Sequence, residues 1–274
     1  MAFTEGKSSD ELMRAQTVLW THIFNHIDSM SLKCAVELGI PDAIHSHGKP
    51  ITLSDLLSAL SLSPAKAPHL QRLMRMLIHS GIFAQNNNGG DDNEEDAYSL
   101  TPVSSLLVKS NDSTTGLSVL VAAVLHPVIV NPFQSMSAWF KSDEPTPFSV
   151  EHGCGLWEVT GRDPEFNKLF NEGMASDAKF LMNILLRDCG DVFQGIESLV
   201  DVGGGTGSAA IVISEAFPNV KCSVLELPHV VSTIKEKRDV DFIAGDMFDS
   251  IPPADAIFLK VRYPPPLSKL FSPP

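Results

Sequence analysis

The chain reads as an α/β protein: a parallel, doubly wound sheet preceded by a helical, winged-helix-like region. Three observations carry this reading. From Ser198 onward, short apolar runs alternate with helix-like segments, the pattern of parallel strands joined by crossover helices. Nearer the start, helical stretches lead into two strand-like pieces around a polar loop. Between the first strand and first helix of the sheet runs Val200-Asp201-Val202-Gly203-Gly204-Gly205-Thr206-Gly207, a glycine-rich turn.

The elements follow in order. Leu12, Val18, Ile23, Ile27, Met30, Leu32, Ala35 and Leu38 recur at helical spacing and predict a helix over 11–38. Gly39 and Pro41 mark its end. Thr52-Leu53-Ser54-Asp55 is a start signal for a second helix over 56–60. Ser63 and Pro64 open a third, through Leu70, Leu73, Met74 and Leu77, stopped by Gly81. Residues 82–85 and 98–101 read as strands, and the acidic loop between them as a solvated, mobile wing tip. Residues 106–140 read as helical with breaks at Pro127 and Pro132, and 145–147 as a linker. Over 164–186, Phe166, Leu169, Phe170, Met174, Phe180, Leu181, Ile184 and Leu185 form overlapping helical faces, read first as core packing. Strands are then expected at 199–202, 222–225, 240–244 and 256–260, with helices at 209–217 and 230–237.

Composition narrows the class. The 274 residues suggest one large domain or two modest ones. The formal net charge of −13 argues against nucleic acid, because an acidic surface gains nothing from counterion release. Cys34, Cys154, Cys189 and Cys222 are scattered with no CxxC pair, so neither a disulfide framework nor a cysteine metal site is expected. The N-terminus lacks the basic flank and apolar run of a signal peptide. The apolar stretch near 117–130 is interrupted by His126 and Pro127, so no membrane span and a cytoplasmic location are expected.

The glycine turn carries the chemistry. Glycines at 203, 205 and 207 allow a tight turn and close approach of a ligand, at the carboxyl end of a strand where α/β sheets bind ligands. The following helix N-terminus offers free N–H groups to an anionic group. Glu226 ends the second strand, roughly 20 residues on, where a ribose-binding carboxylate belongs. Asp246 and Met247 follow the third strand: a carboxylate accepts from an adenine amino group, and a thioether packs on a ring face. Lys260 ends the fourth. Each alone reads equally well as a surface charge or core sulfur; four strand ends together do not.

The spacing differs from the G-x-G-x-x-G dinucleotide pattern and is similar to the S-adenosylmethionine turn of class I methyltransferases. Across nearly its whole length the chain resembles the plant small-molecule O-methyltransferases that act on phenolics such as flavonoids, isoflavonoids and stilbenes. The runs that carry the likeness are MSLKCA from Met30, ELGIP from Glu37, RLMR from Arg72, YSLTP from Tyr98, FNKLFNEGM from Phe166, LVDVGGGTG from Leu199, ELPH from Glu226, GDMF from Gly245 and IPPADA from Ile251.

The resemblance implies a class I methyltransferase sheet, here incomplete, preceded by a dimerisation domain whose helices interlock with a partner subunit. It implies domains at 1–115 and 116–260, with 261–274 a divergent proline-rich tail on a C-terminally truncated chain. It implies that Gly203, Glu226, Asp246, Met247 and Lys260 hold S-adenosyl-L-methionine, and that Phe166, Phe170 and Met174 line a phenolic pocket. Most relatives have Asp where this chain has Glu226. No metal is needed in the implied reaction.

The likeness stops at Lys260. Relatives go on to a His-Asp pair, the histidine being the general base, whereas Pro264 and Pro265 stand here. No catalytic residue is therefore assigned, and weak or absent turnover is expected. The strand at 256–260 should become a sheet edge. Among the nine histidines, His22 and His26 share a helix face but lack a third ligand, and His126 and His152 read as packing or surface residues. A homodimer, or a heterodimer with a full-length relative, is expected; the alternative to an impaired enzyme is a non-catalytic dimerisation partner of a full-length O-methyltransferase. A winged-helix DNA binder is disfavoured by the acidic wing and the net charge.

Overall fold

The structure, a computed structural model, describes residues 6–86, 97–109, 116–234 and 239–260. The wing tip, but for its ends, and the tail that holds Pro264 lie outside the described residues. The chain divides into two units, 1–108 and 109–274.

In the first unit, α1 (Ser9–Leu38) opens with a capping box: the Ser8 hydroxyl accepts the Glu11 N–H, and the Glu11 carboxylate accepts the Ser8 N–H. Gly39, at φ +74°, ends α1 and also starts α2 (Ile40–His47), with Pro41 in its first turn. The sequence reading took Gly39 and Pro41 only as a stop. Proline at a helix start forfeits no hydrogen bond, so the same pair begins a new helix. Next come β1 (Ile51–Thr52), α3 (Leu53–Ala59), α4 (Ala67–His79), β2 (Phe83–Asn86), β3 (Ala97–Leu100) and α5 (Pro102–Ser105). The sheet is antiparallel in the order β1-β3-β2, with Phe83 opposite Leu100 and Ile51 opposite Tyr98. Ile40, Ile44, Ile51, Leu56, Met74, Leu77 and Phe83 form its core. Along α1, by contrast, Met13, Val18, Leu19, Trp20, Ile23, Phe24 and Ile27 are exposed. A run of that length on one helix marks a surface for a partner.

In the second unit, the stretch expected to be broadly helical is fragmented into α6 (Ser118–Val124), α7 (Pro127–Val130) and α8 (Met136–Trp139). Pro127 takes the first position of α7, behind His126, whose ring nitrogen accepts the Val128 N–H. The expected linker at 145–147 is instead a helix start. Thr146 caps α9 (Pro147–His152) by accepting the Ser149 N–H, with Pro147 in the first turn. After α10 (Leu156–Arg162), α11 (Pro164–Cys189) crosses α6 so closely that a Cβ on Gly173 would lie 2.9 Å from the Ala123 methyl.

Then follow β4 (Ser198–Val202), α12 (Ser208–Ala216), β5 (Lys221–Glu226), α13 (Pro228–Val231), β6 (Asp241–Ala244) and β7 (Ala256–Phe258). The four strands are parallel in the order β6-β5-β4-β7. One face buries Leu199, Cys222 and Val224 against Met182, Ala210 and Ile213; the other buries Val200, Val202 and Leu225 beside Ile243 and Met247. Both faces being covered explains why these strands are continuous apolar runs.

Among the described residues, β7 is a sheet edge, as expected, with Ile257 44% exposed. One carboxylate clips it in register: Asp255 Oδ2 accepts from the Glu197 and Ser198 N–H groups and the Ser198 hydroxyl, which in turn accepts the Asp255 N–H. The Glu197 N–H, followed by the Ser198 hydroxyl and N–H, holds the Asp255 carboxyl below its ordinary range. Its contribution is thus present above that range and lost as pH falls through it. Asp255→Asn is expected to melt below wild type at pH 7, with the gap closing as pH falls below the ordinary carboxylate range. Parallel melting curves across that window would disprove this.

Candidate functional site

The carboxyl ends of β4, β5 and β6 bring most of the expected residues together. Gly203 follows β4 at φ +68° and donates its N–H to the Leu225 carbonyl at 2.8 Å. A Cβ there would lie 3.0 Å from the Met247 methyl, in a conformation side chains avoid. Gly204 is fixed by close approach: its Cβ would lie 2.5 Å from the Asp201 carboxyl. Over Gly205 the space is open.

Glu226 closes β5 and ties strand to turn. Its Oε2 accepts the Gly205 N–H at 2.9 Å and its Oε1 the Leu227 N–H at 2.7 Å. A carboxylate has about four acceptor positions, so each oxygen keeps capacity for a ligand hydroxyl. Asp246, exposed beyond β6, accepts the Phe248 N–H at 2.9 Å. Lys260 lies beyond β7, its Nζ 2.7 Å from Oδ2 of Asp177 on α11.

Asp201 was not singled out from the sequence. It is 2% exposed, and its Oδ2 has no hydrogen-bond partner among the described residues. Burial pushes its carboxyl up to about 7; an N–H bond from Ala210 opposes this, the Glu226 charge adds to it, and the Lys260 charge counters it. A raised folded pKa gives stability that is full below the ordinary carboxylate range and lost as pH rises through about 7. Wild-type stability is therefore expected to fall between about pH 4 and 7, by on the order of a few kcal/mol, while Asp201→Asn stays flat. Urea unfolding at several pH values measures this, and a wild-type plateau across the window would refute it.

On α11, Phe166, Phe170 and Met174 stand at i, i+4 and i+8, one face of the helix. Phe166 is buried, its ring 4.9 Å from His126 and 5.9 Å from Phe170; Trp157 meets Phe170 at 6.0 Å. Met174 is half-buried on the same face. The structure adds His126 and Trp157 to this aromatic cluster. The sequence reading of His126 as a packing or surface residue agrees with its stacking on Phe166, whereas Trp157 had no signal. His152 packs on Phe148, with Nε2 3.0 Å from the Val128 carbonyl. Among the described residues, no three His, Cys, Asp or Glu side chains are grouped to hold a metal, and no single helix is long and apolar enough to cross a membrane.

Known proteins align with both units. Residues 133–262 match the O-methyltransferase domain and residues 20–110 the O-methyltransferase dimerisation domain. The chain is 48% identical over 260 residues to trans-resveratrol di-O-methyltransferase of Vitis vinifera, covering 95% of this chain and 72% of that protein. It is 48% identical over 267 residues to 8-hydroxyquercetin 8-O-methyltransferase of Mentha piperita, with coverage of 95% and 72%. Among solved structures, human N-acetylserotonin methyltransferase in complex with SAM superposes with a TM-score of 0.71 at 18% identity, over 93% of this chain and 71% of that one. At that identity the likeness concerns the fold.

Proposed function

The chain belongs to the O-methyltransferase family, and on that premise we propose that it binds S-adenosyl-L-methionine and methylates a hydroxyl of a small plant phenolic. The observation that carries the reading is the convergence of the glycine turn, Glu226 and Met247 at three adjacent strand ends. These residues suit the cofactor. Open space lies over Gly205, beside a carboxylate already oriented by two backbone N–H groups. Glu226 would accept from ribose hydroxyls, Asp246 from the adenine amino group, and Met247 would pack on the adenine ring. Gly203 leaves room at the turn, and Lys260 supplies a positive charge. Bound there, the cofactor supplies a methyl group activated on a sulfonium.

Phe166, Phe170 and Met174 would hold the phenolic ring and keep water from it. A general base is a different matter: the position that the family resemblance gives it, Pro264, lies outside the described residues, and proline has no proton acceptor in its side chain. With proline at that position, a phenol bound here would give its proton to solvent, and on this reading methyl transfer is slow. We assign residues 1–115 to subunit pairing and 116–260 to methyl transfer. The acidic net charge speaks against nucleic acid as a partner.

Calorimetric titration with S-adenosylhomocysteine tests the cofactor site; one site per chain is expected, and no heat at millimolar ligand would overturn it. A second reading, a non-catalytic partner of a full-length relative, draws support from the exposed apolar run along α1. Native mass spectrometry of a mixture with such a relative decides it, since an absence of mixed dimers removes this reading.

A further inference from the structure

We propose that Asp177 is a positioning residue: it holds the Lys260 amine at the cofactor end of the sheet and ties the aromatic helix face to that end. The proposal rests on the cofactor reading above. Asp177 lies three residues after Met174, so it extends the face of Phe166, Phe170 and Met174 by about one turn. Its side chain is 7% exposed and that of Lys260 24%. An ion pair that is nearly dry on one side and short, at 2.7 Å, has a defined geometry.

The pair joins α11 to the end of the edge strand β7, beyond the apolar packing of Met182 against the sheet. Lys260 follows the short edge strand β7, which pairs only with β4 among the described residues. A lysine carries several rotatable bonds, and left unpaired it would spread its charge over many positions. Held by Asp177, the amine also lies near enough to Asp201, beneath the glycine turn, for its charge to act there. One carboxylate on α11 thus sets where the positive charge sits relative to Asp201 and the turn. Any ligand that uses this charge also feels the placement of α11.

The test reads two quantities in wild type, Asp177→Asn, Lys260→Gln and the double variant. The first is affinity for S-adenosylhomocysteine by calorimetry. The second is the rate at which the Lys260 amine is acylated by a pulse of acetic anhydride, measured by peptide mass spectrometry with no cofactor present. Each single substitution is expected to weaken binding about tenfold, and the double no further than the weaker single. Asp177→Asn should speed acylation of Lys260 several-fold at an unchanged rate for exposed lysines. Asp177→Glu, which keeps the charge, should bind within about threefold of wild type.

Binding by Asp177→Asn equal to wild type, multiplying effects in the double, or unchanged Lys260 acylation would each overturn the proposal. So would a tenfold loss in Asp177→Glu with Lys260 still protected. If the wild-type chain itself gives no heat, the cofactor reading fails and this inference goes with it. That result is distinct from a wild-type titration that Asp177→Asn leaves unchanged.

Discussion

Methyl transfer by the 274-residue chain is expected to run about 10²–10⁴-fold slower than in a relative with a histidine base, and to rise about tenfold per pH unit from about 6 to 9. The magnitude comes from the proton. A phenol of pKa near 10 is ionised to only about one part in 10³ at pH 7, and a positioned base removes that handicap. Here Lys260 is followed by Val261-Arg262-Tyr263-Pro264-Pro265, with proline where the family resemblance places the base. His126 and His152 are each engaged elsewhere through one ring nitrogen. One accepts the Val128 N–H with its ring against Phe166, and the other bonds the Val128 carbonyl. What remains is proximity between phenolate and methyl donor, which supplies part of the acceleration. Initial rates at saturating cofactor with a stilbene or flavonol substrate measure both features. Asp201→Asn serves as a control, because the Asp201 carboxyl titrates inside this window. A rate that levels off above pH 7 in both proteins would show that a base is present after all.

Glu226→Ala is expected to weaken S-adenosylhomocysteine binding by about 100-fold or more. Hydrogen bonds to a charged group are worth about 1.5–3 kcal/mol each, and about 1.4 kcal/mol is tenfold in affinity. The substitution removes the acceptor for the ligand and also frees the Gly205 and Leu227 N–H groups that now bond its two oxygens. The turn loses its tie to β5 and the ligand its partner at once. Glu226→Asp is expected to be milder but still impaired, because the shorter arm cannot keep the Gly205 bond without moving the turn. Calorimetric titration of both variants gives the comparison, with circular dichroism to show that the sheet persists. Wild-type affinity in Glu226→Ala would remove Glu226 from the site.

Most of the fold was legible in the sequence. The α1 helix announced itself by apolar spacing and by the glycine at its end. The strands β4 to β7 did so as short apolar runs between glycine and proline signals. What failed was local, and most of it had one cause. By spacing, Pro41, Pro127 and Pro147 read as stops, breaks or a linker, yet each sits in the first turn of a helix. Proline ends one helix and begins the next with equal ease, and spacing alone does not tell which. The two-residue β1 was also missed, being too short to show alternation.

The candidate site divides in the same way. The positions of Gly203, Glu226, Asp246, Met247 and Lys260 were legible because each ends or follows a strand, and strand ends in a parallel sheet converge. The sequence by itself determined that convergence, since strand, glycine turn and helix are local patterns written in periods of 2 and 3.6 residues. Only the tertiary structure decided what surrounds those side chains. It placed Asp201 in a dry interior under Gly204, stacked His126 on Phe166, and brought Asp177 of α11 to the Lys260 amine. Burial and charge pairing depend on residues far apart in the chain, and such distances close only when helices pack on the sheet.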